Sequence, residues 1–271
     1  MPQIAILNQK GGVGKTTTAV NLGAALAERG YRVCLVDLDP QAHASLHLGV
    51  EPRPDASSVY DVLVRDMPLA SVRRQVGKNL YLVPSHLDLA AAEVELAGVV
   101  GREVILRDKL HEDSEKFDFL FVDCPPSLGI LTINALVAVD EIFIALQPHF
   151  LALHGLSKLL QTIDLVVRRL NNRLRVTGII LCMYDGTTRL AAEVGQDVEQ
   201  FFRQMRGQRA PWSEVRVFQT RIRRNIRLAE APSFGQSILE YAPDSPGAQD
   251  YRQLAEEVLT LYGLPPNKSA E

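Results

Sequence analysis

Residues 8–17 read Asn-Gln-Lys-Gly-Gly-Val-Gly-Lys-Thr-Thr; they follow the apolar segment Ile4–Leu7, and helical spacing begins straight after them. A strand, a glycine loop and a helix in that order make a phosphate cradle. Gly11, Gly12 and Gly14, with Val13 among them, let the backbone turn its N–H groups inward, and the helix adds its positive N-terminal end. Lys15 then reaches the β- and γ-phosphates, and Thr16 offers a hydroxyl to Mg²⁺ beside Thr17, so the implied ligand is a magnesium nucleoside triphosphate. The usual pattern G-x-x-x-x-G-K-[ST] has glycine where this chain has Gln9, and a second lysine, Lys10, stands at the start of the loop. Because Lys15 already occupies the phosphates of its own loop, Lys10 is expected to serve a nucleotide held by a second subunit.

Phosphoryl transfer asks for positioned cations and an in-line water and needs little covalent chemistry. Two apolar runs deliver carboxylates for this: Arg32–Val36 leads into Asp37 and Asp39, and Phe117–Val122 leads into Asp123. In open parallel sheets, ligands gather beyond the C-terminal ends of the strands. Two-residue spacing predicts that Asp37 and Asp39 point the same way. Asp123 is expected to hold Mg²⁺ through water, as that ion keeps several of its waters.

Further apolar runs, Leu80–Val83, Glu141–Leu146, Thr177–Cys182 and Val215–Phe218, alternate with helical spacing over Thr16–Arg29, Leu128–Val139, His154–Arg169, Leu190–Met205 and Ala248–Tyr262. Strands alternating with helices predict an α/β fold, a doubly wound, mostly parallel sheet with helices on both faces. A chain of 271 residues with 46% hydrophobic and 23% charged residues can bury a large core, which argues against disorder or a repeat architecture. One domain is expected over residues 1–264, with Pro265 and Pro266 leaving 265–271 as a flexible tail.

The run Lys10–Thr17 resembles the signature of the ParA/MinD group of deviant Walker A P-loop ATPases. Four further stretches extend the resemblance: Leu35–Gln41, Phe121–Pro126, Met183-Tyr184-Asp185, and Asn225–Ser233 with Ile238–Tyr241. Together they resemble the chromosome-partitioning ParA/Soj branch over about Ile4 to Tyr262. The resemblance implies ATP and Mg²⁺ as cofactors and slow, partner-stimulated hydrolysis to ADP and phosphate. It gives Asp39 the role of orienting the attacking water, puts Asp37 in the Mg²⁺ hydration shell, and sets Met183 beside adenine, while Arg223 stands where many relatives have proline. The implied partners are an ATP-dependent second copy of the chain, non-specific double-stranded DNA and a ParB/Spo0J-type centromere-binding protein, in the cytoplasm and on the nucleoid.

The net charge is only −3, yet eight arginines and one acid, Glu214, lie between Arg203 and Arg227. Clustered arginines bind phosphate backbones with little sequence reading. The resemblance links Arg227 to DNA; Arg224 in the same run and Arg189, near the place of a second family arginine, join it as candidates. Phe201, Phe202, Trp212 and Phe218 are expected to pack inside. Cys34, Cys124 and Cys182 form no Cys-x-x-Cys pair, which speaks against a disulfide scaffold or a zinc knuckle; an iron–sulfur carrier-type P-loop ATPase, which shares the loop but needs cysteines at its interface, stands as one alternative. His43 and His47 share helical spacing without the acid that a metal site of that type needs. A MinD-like membrane ATPase is the main alternative. It is disfavoured because the closing helix carries Glu256 and Glu257 against Arg252, the wrong charge for anionic lipid.

Overall fold

A computed structural model describes residues 1–53, 55–150 and 152–268. In chain order the elements are β1 (Gln3–Leu7), α1 (Lys15–Glu28), β2 (Val33–Asp37), α2 (His43–His47), α3 (Val59–Val64), α4 (Leu69–Val72), β3 (Arg74–Gly77) and β4 (Leu80–Val83). There follow α5 (Leu89–Glu95), α6 (Ile105–Glu112), β5 (Phe119–Asp123), α7 (Ile130–Ala138), β6 (Glu141–Leu146), α8 (Ala152–Arg169), β7 (Arg175–Tyr184), α9 (Arg189–Met205) and β8 (Arg216–Arg223). The chain closes with α10 (Ile226–Glu230), a 3-10 turn (Ala231–Phe234), α11 (Ile238–Tyr241) and α12 (Pro246–Leu261).

The eight strands form one sheet in the order β3-β4-β2-β5-β1-β6-β7-β8, parallel except for the β3–β4 edge pair. The predicted doubly wound α/β architecture is therefore what forms. Alternation along β1 explains the two layers: Ile4 and Ile6 face α1 and α12, whereas Ala5 and Leu7 face the layer of α3 and α6–α9. Helix α1 is buried along most of its surface, which suits its run of alanines and its place in the middle of one face. Strand β3 and helices α3–α6 went unread in the sequence because each is four to eight residues long, too short for a periodic pattern to stand out.

Sheet order matters for function because β2, β5 and β1 lie side by side. Asp37 is registered opposite Asp123, and Asp123 opposite Ile6, one residue before the end of β1. Adjacent strands are about 4.8 Å apart. The phosphate loop and both acidic strand ends thus meet at one edge of the sheet.

Two expectations change. The segment after α12 is tied down as far as Lys268: the Tyr31 hydroxyl donates to Pro265 O at 2.6 Å, and Lys268 Nζ donates to both carboxylate oxygens of Asp118 at 2.8 and 2.9 Å. Gly263, at φ 65°, closes the helix after its cap at Tyr262, and the chain beyond it turns back onto the body; residues 269–271 lie outside the described residues. Second, the charges of α12 are used internally. Arg252 pairs with Glu28, Glu256 with Arg29, and Glu257 accepts the amides of Gln219 and Thr220. Its apolar side, with Tyr251, Leu254 and Val258, is buried on the sheet. Among the described residues no helix is long and apolar enough to cross a membrane.

Packing around β7 yields a stability prediction. A Cβ at Gly178 would lie 2.5 Å from Phe218 and 2.7 Å from Phe143, whose rings meet edge to face. Gly178→Ala is expected to lower thermal stability by about 1–3 kcal/mol through overpacking. Gly155→Ala, at an exposed position of helix α8 with nothing within 4 Å of the new carbon, is expected to raise it slightly. Thermal melts of the two variants check the contrast.

Candidate nucleotide site

Gly12 at φ 71° and Gly14 at φ 95° take the left-handed backbone that an inward-curling loop requires, and Gly14 caps α1. Buried Val13 anchors the turn between them. Asn8 fastens the entrance, its side-chain amide donating to Ala145 O of β6 at 2.6 Å and its oxygen accepting from Lys10 N at 3.0 Å. The first amides of α1 lack intrahelical partners, as at any helix start, and open onto the loop.

Above the loop lies a cleft of about 590 Å³, lined by Gly11, Gly12, Gly14, Lys15, Thr16, Thr17, Asp39 and Pro126, and on its far side by Gln41, His43, Leu46, His47, Met183, Pro232 and Ser233. A second cleft of about 760 Å³ shares Gly14, Thr17, Met183 and Pro232 with it and continues past Asn225, Ile222 and Arg224. Met183 stands at their junction with φ 51°, a conformation few non-glycine residues adopt. Their lining residues outside the quoted motifs, His43, Leu46 and His47, were missed as site residues because helix α2 is only five residues long.

Lys15 is buried, and its Nζ donates to Lys10 O at 3.2 Å. Burial lowers its pKa, while the charges of Asp123 and Asp39 act in the opposite direction. Lys10 is turned away from this cradle: it is exposed, with Nζ 3.0 Å from His149 Nε2.

The two aspartates of β2 do not act alike. The strand ends at Asp37, so alternation does not carry on to Asp39. Asp37 lies beneath the cleft floor, its Oδ2 accepting from Ser45 N at 2.8 Å and Ser45 Oγ at 2.7 Å, and its Oδ1 from Asp39 N at 3.2 Å. Asp39 faces the cleft and accepts from Gln41 N at 3.0 Å. Ser45, which the sequence reading did not single out, holds Asp37 in place and also accepts from Ser85 N at 3.0 Å.

Burial raises the Asp37 pKa to about 6, outweighing the hydrogen bonds that favour its charged form. Asp123 is pushed well above the carboxylate range, first by burial and then by the Asp37 charge; the Thr16 hydroxyl and Lys15 act against this. Neither buried oxygen of Asp123 makes a full hydrogen bond among the described residues. An orphaned carboxylate of this kind fits a hydrated cation brought in by a ligand. Among the described residues no three His, Cys, Asp or Glu side chains converge as a metal cage.

These raised pKa values give a signed prediction. A carboxyl whose folded pKa lies above its unfolded value costs stability as pH rises from about 4 through the folded value. Asp123→Asn is therefore expected to raise the melting temperature of the nucleotide-free protein by several degrees at pH 8, an advantage that shrinks towards pH 5. Thermal melts across that range, in which a lower melting point at pH 8 would contradict the reading, check it.

The arginine run does not make one face. Arg221 pairs with Glu199, Arg223 with Asp250, and Arg227 with Glu230. Arg203, Arg206 and Arg216 border a separate cavity with Glu199 and Glu257 at the start of β8. That strand is eight residues long, so about 23 Å separates its two ends. Arg224, at the cleft end, lines the second cleft, and exposed Arg189 opens α9 at the same edge of the sheet. Arg223 also donates its amide to Asp250 at 2.9 Å, so it locks β8 to α12. Phe202 and Phe218 are buried, Phe201 and Trp212 partly so. Cys34, Cys124 and Cys182 are buried and unpaired.

A family model described as an AAA domain matches residues 1–176. The chain is 46% identical to the sporulation initiation inhibitor protein Soj of Bacillus subtilis, over 94% of this chain and 97% of that one. It is 42% identical to the chromosome partitioning protein ParA of Myxococcus xanthus, over 94% and 87% of the two chains. Among solved structures it matches a cobyrinic acid a,c-diamide synthase of Mycobacterium smegmatis with bound ATP analogue and magnesium, with TM-score 0.81, 34% identity and 97% and 96% of the chains covered. The cell division ATPase MinD of Pyrococcus furiosus matches with TM-score 0.76 at 27% identity, over 96% and 99% of the chains. With motifs, fold and near full-length identity in agreement, the chain belongs to the ParA/Soj family of chromosome-partitioning ATPases.

Proposed function

We propose that this ATPase is an ATP-dependent dimerisation switch that binds DNA without sequence preference and releases it on hydrolysis. The observation that carries the reading is the convergence of Lys15, Asp39 and the unpartnered Asp123 around a glycine loop at the sheet edge where Arg224, Arg227 and Arg189 also lie. Loop amides from Gly11 to Thr17 and the Lys15 ammonium hold the phosphates, and Met183 lies along the base. Asp39 orients the attacking water, its carboxylate being the acid that faces the cleft. Bound Mg²⁺ would offset the phosphate charge, with Thr16 as a direct partner and Asp123 and Asp37 acting through water. Lys10, exposed and clear of its own cradle, serves the nucleotide of the second subunit.

Pairing two copies puts two sets of arginines on one duplex, and this raises affinity through effective concentration. A ParB/Spo0J-type protein stimulates hydrolysis, and the cycle moves chromosome or plasmid copies on the nucleoid in the cytoplasm. Titration of a random-sequence duplex with ATP or with ADP tests the switch. Binding is expected with ATP only, and nucleotide-independent binding or none at all would overturn it. Arg224→Ala and Arg227→Ala are each expected to weaken binding several-fold on every sequence and to reduce the salt slope by about one. The larger effect is expected at Arg224, as Arg227 already shares its charge with Glu230.

A further inference from the structure

We propose that His47 reads the sugar of the bound nucleotide, its Nε2 accepting a hydrogen bond from a ribose hydroxyl. The inference rests on the nucleotide reading above and adds a specificity-determining residue to it. His47 ends α2, is 2% exposed, and lines the same cleft as the glycine loop. Its Nε2 is buried and has no hydrogen-bond partner among the described residues. The Gln236 backbone lies beside the ring and favours its protonated form. We assign the ring proton to Nδ1, on the side of that backbone, which leaves the partnerless Nε2 as an acceptor. Burial holds the ring pKa down to about 4, so the imidazole is neutral at pH 7.

A buried acceptor without a partner is costly, and its complement is a neutral donor. Nucleotide phosphates offer none at neutral pH. A nucleoside triphosphate carries donors on its base and on the ribose hydroxyls. The loop fixes the phosphate end at Gly11–Thr16, and the second cleft, beyond Met183 towards Asn225, offers the place for the base. Between them, Thr17 and Pro232 border both clefts, while Ser233 and His47 belong to the first. The sugar spans that junction, and its hydroxyl edge is the donor that can turn to His47.

The test is calorimetric titration of ATP, 2′-deoxyATP and 3′-deoxyATP into the full chain and into His47→Gln and His47→Asn. One of the two deoxy nucleotides is expected to bind the parent about tenfold more weakly than ATP, as for loss of one buried hydrogen bond. The glutamine variant, whose amide oxygen can take the place of Nε2, should keep that preference. The asparagine variant, which reaches only to the position of Nδ1, should lose it. Equal binding of all three nucleotides to the parent, or an undiminished preference in His47→Asn, would overturn the proposal. The parent series decides the matter even if a buried substitution unfolds the chain. Failure of the parent to bind ATP at all would instead sink the nucleotide reading itself.

Discussion

Replacing Asp39 with alanine is expected to leave ATP binding intact while turnover falls by about 10²–10⁴-fold, the range a positioned acid–base group supplies. The two effects separate because different parts of the site carry them. In the proposed arrangement backbone amides and Lys15 hold the phosphates, and Lys15 Nζ is bonded to Lys10 O, with no hydrogen bond to Asp39. Its carboxylate faces the cleft, is 8% exposed, and has one oxygen fixed by the Gln41 amide. Removing a negative charge beside the phosphates should, if anything, tighten the ground-state complex. With hydrolysis blocked, the ATP-bound dimer should accumulate. Single-turnover phosphate release together with size-exclusion chromatography in ATP checks both parts, and ordinary turnover would remove Asp39 from its assigned role.

Lys15→Ala is expected to weaken ADP and ATP binding roughly a hundredfold, through loss of a charge-assisted contact in a largely desolvated place. A second consequence concerns the empty site. Lys15 is the cation whose charge acts on Asp123, and its own pKa responds to Asp123 and Asp39. Without it the buried carboxylates face one another with less compensation, and their pKa values climb further. The penalty is felt as pH rises, so the variant should lose most stability near pH 8 and approach the parent near pH 5, where Asp37 and Asp123 take up protons. Calorimetric titration with ADP and thermal melts at the two pH values separate these effects. Unchanged ADP affinity would be incompatible with the assigned phosphate contact.

Much of this site could be read from one dimension because its parts are local. A glycine loop between a strand and a helix is a run of ten residues whose conformational needs are stated by their types. The acids at 37, 39 and 123 each follow an apolar run that can only be a buried strand. Other features resisted. The Arg203–Arg227 run read as one basic surface, but β8 carries it from one end of the sheet to the other, and Glu199, Asp250 and Glu230 take up three of its charges. The tail after Pro265 read as frayed, and the acid that holds Lys268, Asp118, lies 150 residues earlier in the chain. Ser45 and His47 sit on a helix of a single turn, too short for its pattern to mark a nucleotide site.

Residue identities settled the phosphate loop, the alternation of strands with helices and the family, since each depends on contacts within a few residues or on ordered motifs. Only the folded sheet decided that β2, β5 and β1 are neighbours, so that Asp37 stands opposite Asp123 across 85 intervening positions of sequence. Burial then sets the charge states, raising Asp37 and Asp123 and lowering Lys15 and His47. Distance and desolvation are properties of what packs against a group, and a chain written in order does not contain them until strand order has brought remote residues together.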